Sequence, residues 1–340
     1  MRPSGMGLAG GVGRRALLGG ALLGGALALP APGLRAQGAW PQGVWPQRNV
    51  RIIVPFAAGG TADVPARIMA EHFARLTGQS WIVDNRAGAG GALGIRAVAQ
   101  ATDGHTLLHT TSAVAILPAL QRDPGFDPLA VLVPITLTAE TPILLAVKGD
   151  SRFRDLGEFL AEARAKPGTV SFATSGTGTT VHLAGELLRA RGDVDLLHVP
   201  FRGSSPATTA LLGGVTDAQF VSPLEALPHL RAGRMRALAN TAPRRGALLP
   251  DVPMLVDAVP GYDGIALWFG LFASRGFPAA QVAMLMQALS AMRSGSALAE
   301  RLTELGAETL MTGPEALAQR LRQEVPLWQS VAARAGIPKE

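Results

Sequence analysis

The sequence predicts an α/β protein built as two lobes, and three observations carry that expectation. From Val50 onward, strand-like apolar runs alternate with helical ones, a rhythm that implies a largely parallel sheet. At Val170 a second such series begins after the first has ended. Helical stretches from Ala279 then close the chain, as expected if it leaves a first lobe, builds a second and returns.

The first strand is Arg51 to Phe56, rich in β-branched residues and interrupted at Pro55. A Gly59-Gly60 turn leads into a helix from Asp63 to Leu76, where Val64, Ile68, Ala70 and Phe73 fall near helical spacing and Gly78 terminates the run. Trp81 to Asp84 reads as a strand, Gly91 to Ala101 as a helix and Thr106 to Thr110 as a strand. Ile135 to Thr138 and Ile143 to Val147 are further strands, and a helix from Phe153 to Ala165 ends at Lys166-Pro167-Gly168. The second series runs Val170 to Ala173 (strand), Thr179 to Arg191 (helix), Leu196 to Pro200 (strand), Pro206 to Leu212 (helix) and Ala218 to Val221 (strand). After a stretch rich in proline and glycine, Gly270 to Ala273 is a strand, followed by helices at Ala279 to Arg293, Ala297 to Leu305 and Pro314 to Gly336.

Composition bounds the function. The chain has 340 residues, 48% apolar and 16% charged, enough for two ordered domains. Arg14 and Arg15 precede an apolar, glycine-rich run from Ala16 to Leu29, which is too short and too interrupted by proline to span a membrane and reads as an export signal cleaved near Ala36. The adjacent arginines partly match a twin-arginine signal. Residues 1–36 hold four of the 31 bases and no acids, leaving 27 bases against 25 acids, a formal charge of +2. Nucleic acid is therefore not an expected partner, and Arg231 to Arg236 and Arg244-Arg245 read as solvated helix ends or turns. The absence of cysteine removes disulfides, thiolate catalysis and thiolate metal sites.

The sites of open α/β sheets lie beyond the carboxyl ends of the strands, which directs attention to two loops. In Val50 to Asp63 the strand breaks into a Gly-Gly turn and a helix start, where unpaired backbone N–H groups and the positive end of the macrodipole can hold a carboxylate or a phosphate. Ala173 to Thr180, ATSGTGTT, repeats this arrangement with hydroxyls; Thr177 or Thr179 can serve a ligand or cap its own helix. Asp63 more naturally organises the first loop than acts as a base, and His182 can face the cleft or pack within the lobe.

Other chemistries lack their residues. Asn85 to Gly94 is glycine-rich after a strand, yet its spacing misses the dinucleotide fingerprint and reads as a turn allowing close packing or as a loop at the cleft. There is no Gly-Lys-Ser/Thr P-loop and no Gly-x-Ser-x-Gly elbow around Ser175 or Ser204. The six histidines are scattered, with His105 and His109 on a strand-like segment. No metal, cofactor or catalytic residue is expected, and Trp268 and Phe269 read as core or as a pocket wall.

Nine segments in order, among them WPQRNVRIIVPFAAGGTADVPAR, IVDNRAGAGGALG, ATSGTGTTVHLAGELL, HVPFRGSSPA and LPHLRAGRMRALA, resemble the substrate-binding receptors of tripartite tricarboxylate transporters, the Bug-type extracytoplasmic solute receptors. The resemblance covers nearly the whole chain beyond the signal. It implies a two-lobed type II periplasmic-binding-protein fold with a ligand cleft between the lobes, bounded here as 37–142 and 265–340 for lobe one and 143–264 for lobe two. It implies a monomeric periplasmic protein that captures a small organic carboxylate and delivers it to membrane permease subunits. A ligand-presenting partner of a signalling protein is an alternative use of the same fold, and a hydrolase or transferase using the cleft is another. Carried over by residue, the resemblance nominates Phe56, Ala57, Ala58, Gly59, Gly60, Thr61 and Asp63 in lobe one and Ser175, Gly176, Thr177, Gly178 and Thr179 in lobe two, with Ser112, Phe201, Arg202 and Gly203 as further wall residues. Where many members carry an acid after the Phe matching Phe220, this chain has Val221 and then Ser222. That removes a partner for a ligand's amino group and lowers the expectation for amino acids.

Overall fold

A computed structural model describes residues 40, 44–201, 203–246, 249–304, 306–334, 336–337 and 339. The export signal at 1–36 and the wall residue Arg202 lie outside the described residues.

The first sheet is founded on β1 (Val50–Val54), in which every residue but Arg51 is buried. α1 (Asp63–Thr77) follows and stops at Gly78, whose left-handed φ of 69° lets its N–H reach the Ala74 carbonyl. β2 (Trp81–Asn85), α2 (Ala92–Ala99) and β3 (Thr106–Thr111) complete a parallel trio with β1 at its centre. α3 (Ala113–Leu120) and the short α4 (Pro128–Val131) lead to β4 (Leu132–Pro142), an eleven-residue strand.

At Ile143 the chain passes into a second sheet through β5 (Leu144–Lys148). There α5 (Leu156–Ala165), β6 (Val170–Thr174), α6 (Thr180–Gly192), β7 (Leu196–Pro200), α7 (Ser204–Leu212), β8 (Ala218–Val221), α8 (Pro223–Arg231) and β9 (Met235–Asn240) follow one another. α9 (Leu255–Ala258) precedes the return strand β10 (Ala266–Ser274), and α10 (Ala279–Ser290), α11 (Ala297–Glu304), β11 (Glu308–Thr309) and α12 (Pro314–Arg334) close the chain. The strand orders are β11-β4-β10-β3-β1-β2 and β7-β6-β8-β5-β9.

The expectation of a largely parallel sheet needs correction. Only β1, β2 and β3 in one sheet and β6, β7 and β8 in the other are parallel. The crossing strands β4 and β10 pair antiparallel with each other, and β10 also pairs antiparallel with β3. β5 likewise lies antiparallel between β8 and β9. Helical crossovers set parallel neighbours, whereas a strand pair that carries the chain out of a lobe and back must run in opposite directions. Both crossing strands also exceed the runs expected from sequence. β10 is buried along its whole length, so it shows no alternation to mark its ends.

The glycine-rich turn after β2 serves packing. A Cβ on Gly94 would lie 2.8 Å from Pro55 Cβ and 3.2 Å from the Arg86 carbonyl oxygen, so α2 can seat against the end of β1 only without a side chain there. Trp268 and Phe269 are core residues, 0% and 2% exposed. Of the basic cluster, Arg231 ends α8 and Arg236 donates to the carbonyls of Phe153 and Gly149.

Candidate functional site

The loop between β1 and α1 is built around Asp63, which is 1% exposed. Its Oδ2 accepts the Gly59 N–H at 2.8 Å and Arg67 Nε at 2.7 Å, and its Oδ1 accepts Asn85 Nδ2 at 2.9 Å. The Asn85 amide also donates to the Phe56 carbonyl at 3.0 Å, tying both ends of the loop to the end of β2. Burial alone would push the Asp63 carboxyl up, but the bonds from Arg67, Gly59 and Asn85 outweigh it and hold the group below the usual carboxylate range. Arg67 neutralises the charge, so the loop does not confront an anion with an unpaired carboxylate.

This anchoring decides which amides remain for a ligand. The Gly59 N–H is turned inward, at a φ of 78° that favours glycine. Among the described residues, no carbonyl or side chain accepts from the amides of Ala57, Ala58, Gly60 or Thr61. Those N–H groups lie on the loop that leads into a 15-residue helix, whose macrodipole favours a negative charge at that end.

The second loop, between β6 and α6, divides its groups in the same way. The Gly176 N–H lies 3.3 Å from Thr174 Oγ1, and the Gly178 N–H donates to His182 Nδ1 at 3.2 Å. Thr179 is an N-cap: its Oγ1 donates to the Gly176 carbonyl at 2.7 Å and accepts the His182 N–H at 3.4 Å. Among the described residues the amides of Ser175 and Thr177 have no acceptor. Thus Gly178 and Thr179 shape the loop with the groups that were candidates for a ligand. Phe201 and Gly203 brace it, with the Phe201 N–H on the Thr174 carbonyl at 3.0 Å and the Gly203 N–H on the Ser175 carbonyl at 3.1 Å.

Ser112, expected at the wall, is buried and joins the lobes. Its N–H donates to the Trp268 carbonyl at 2.9 Å, and its hydroxyl lies 2.7 Å from that of Thr180, the first residue of α6. Parallel β1 and β3 end at the same edge of the first sheet, so the β1–α1 loop and Ser112 share that edge, and Thr180 brings the second loop against it. A separate cavity of about 300 Å³, lined in part by Arg51, Arg86 and Asp103, already has its arginines paired, with Asp103 at 3.8 Å and Asp84 at 2.9 Å.

Sequence reasoning missed Arg67, Asn85, His109, His198 and Glu186 as site-building residues. Arg67 was legible as an i,i+4 partner of Asp63. His109 was not, because its partners come from elsewhere in the fold. It is fully buried, its Nδ1 lies 2.8 Å from the Ala62 carbonyl oxygen and its Nε2 3.1 Å from Thr138 Oγ1, so it locks the start of α1 to the crossing strand β4. Burial pushes its pKa down to about 4. The unfolded chain, with an ordinary value near 6.5, binds the proton first as pH falls. Stability is therefore fully present above pH 6.5 and is lost toward pH 4, by roughly 2–3 kcal/mol at pH 4.5 from this group. Urea unfolding should show His109→Asn losing less stability than the parent between pH 7 and 4.5; identical losses would refute the assignment.

The two-sheet architecture is that of a two-lobed periplasmic binding protein. Residues 65–337 match the model of the tripartite tricarboxylate transporter family receptor, TctC. The chain belongs to that family. A UPF0065 protein encoded between tcbD and tcbE in Pseudomonas sp. strain P51 is 38% identical over 287 residues, covering 84% of this chain and 85% of that protein. A Rhodopseudomonas palustris protein solved with adipate superposes with a TM-score of 0.80 at 32% identity, over 87% of this chain and all of the other. MatC from the same organism, solved with malate, gives 0.73 at 35% identity, over 84% and 99% of the two chains.

Proposed function

We propose that this protein is an exported periplasmic receptor that binds a small organic carboxylate between two lobes and delivers it, chemically unchanged, to the permease subunits of a tripartite tricarboxylate-type transporter. The lobes are residues 37–142 with 265–340, and residues 143–264. The observation that carries this reading is the set of unaccepted amides at Ala57, Ala58, Gly60 and Thr61, on a loop anchored by a buried Asp63 whose charge Arg67 already balances. Such a set suits an acceptor-rich anion. Adipate and malate in the two solved relatives are of that chemistry.

The energetics are adequate. Hydrogen bonds to a charged group contribute about 1.5–3 kcal/mol each. Three or four therefore cover much of the roughly 8 kcal/mol of a micromolar Kd after ordering costs. Lobe closure excludes water from these bonds, and a ligand that favours the closed form shifts the population toward it.

The test is a thermal-shift and calorimetric screen of the chain lacking residues 1–36 against adipate, malate and a panel of mono-, di- and tricarboxylates. We expect at least one to raise the melting temperature and bind near the micromolar range, with the bound acid recovered intact by NMR. A panel without a hit, or an acid converted to product, would overturn the reading.

A further inference from the structure

Two imidazoles stack directly behind the second ligand loop. His182, in the first turn of α6, and His198, in β7, have ring centroids 4.1 Å apart with planes inclined by 24°. His182 accepts the Gly178 N–H on Nδ1 at 3.2 Å, and His198 Nε2 lies 2.7 Å from Thr174 Oγ1, the atom that also faces the Gly176 N–H. His182 is 4% exposed, and its Nε2 lies 3.5 Å from Glu186 Oε1. The Glu186 carboxylate in turn accepts Arg189 Nη1 at 3.1 and 3.0 Å, and Arg189 Nη2 donates to Asp195 at 2.9 Å. Every second amide of the loop is thus drawn inward, Gly176 to Thr174 and Gly178 to His182, which leaves those of Ser175 and Thr177 without an acceptor among the described residues.

We infer that the stacked His182–His198 pair is the positioning element of this loop: it holds the inner amides so that the Ser175 and Thr177 amides face the ligand. The ligand consequence rests on the carboxylate reading above; the loop geometry does not.

The chemistry follows from the hydrogen bonds. A ring nitrogen that accepts an amide N–H keeps its lone pair there, so the proton of neutral His182 sits on Nε2, toward Glu186. A doubly protonated ring has no acceptor left and would set an N–H against the Gly178 N–H. Two imidazolium rings about 4 Å apart would also repel each other strongly in a buried setting. The charged groups facing the pair are Glu186 and Arg189 on α6 and, through Arg189, Asp195 ahead of β7. Burial first, and then the neighbouring His182, push the His198 pKa down to about 4.

The experiment uses the chain lacking residues 1–36 and two readouts, hydrogen exchange at the Gly178 amide and calorimetric binding of adipate and malate. His182→Ala removes the acceptor. It should lower protection of the Gly178 amide about tenfold and weaken binding of whichever acid the parent binds by a similar factor. His182→Asn places a non-titrating carbonyl oxygen where Nδ1 stood and should recover most of both. Unchanged Gly178 protection in His182→Ala, or no recovery of that protection in His182→Asn, would overturn the inference. If His182→Ala does not fold, His198→Ala decides: removal of the stacked ring should lower Gly178 protection, and protection equal to the parent's would overturn the inference. If the parent binds no acid of the carboxylate panel yet Gly178 exchange responds as described, the carboxylate reading fails and the positioning role stands.

Discussion

Replacing Asp63 with alanine is expected to abolish carboxylate capture at ligand concentrations that saturate the parent, a loss of at least about 100-fold, and to cost about 3 kcal/mol of stability. The substitution does more than remove a charge. It releases the Gly59 N–H from its acceptor, and it leaves the Asn85 amide with only the Phe56 carbonyl of its two acceptors. Arg67, about half exposed, finds water easily, so most of the cost falls on the loop. The amides of Ala57, Ala58, Gly60 and Thr61 stay chemically intact but lose the frame that points them together, and preorganisation is what such a site contributes to binding. Asp63→Asn should fall between the two, because its carboxamide retains one acceptor oxygen and sets an NH2 against other donors. Calorimetry with adipate and malate, beside urea unfolding, reads both effects. Binding within about threefold of the parent would remove Asp63 from its role as loop organiser, since that is less than the loss of one ordinary hydrogen bond.

Glu324 should give the largest effect on stability. This carboxylate on α12 is 8% exposed and accepts the indole N–H of Trp268 at 2.8 Å and of Trp328 at 3.2 Å. It also pairs with Arg320, whose other end holds Glu140 on β4 at 2.8 Å. Glu324→Ala leaves two buried indole donors without acceptors and a guanidinium half-paired, and breaking a buried ion pair from one side typically costs 3–5 kcal/mol. We expect a loss in that range and a melting temperature lower by roughly 10 °C. Glu324→Gln should lose less, as its carbonyl oxygen can still accept one indole. Tryptophan emission reports directly on the affected rings. A loss below about 1 kcal/mol would mean that the indoles find other partners. A secondary effect on binding is also expected. The Trp268 carbonyl receives the Ser112 N–H, and the Ser112 hydroxyl meets Thr180 across the lobes, so a displaced β10 disturbs the junction.

The contrast between these two residues shows how much was legible beforehand. Asp63 stands beside a Gly-Gly turn at the head of a periodic helix, and its partner Arg67 is four residues away on the same helix. Both signals are local. Glu324 lies 56 residues from Trp268 in an amphipathic run where any glutamate looks solvated, and only the docking of α12 on β4 and β10 buries it. The same holds for His182 and His198, which are sixteen positions apart in separate elements and meet because α6 packs behind the ends of β6 and β7. The stretch Met235 to Asn240 escaped notice as a strand for a related reason: it sits between a basic turn and a proline-rich passage, and only pairing with β5 reveals it as β9.

By itself, then, the sequence determined the α/β class, most strand and helix positions, the two loops proposed to carry the site and, through nine ordered segments, the family. Those properties depend on spacing, turn residues and capping, which act within a few residues. Only the tertiary structure decided the antiparallel crossing strands, the contact of Ser112 with Thr180, and which amides of each loop turn inward and which stay free. Whether an N–H in a loop is spent or available depends on a nearby acceptor whose orientation another element fixes. That acceptor is Asp63, steadied by Asn85, in the first loop and Thr174 and His182, steadied by His198, in the second.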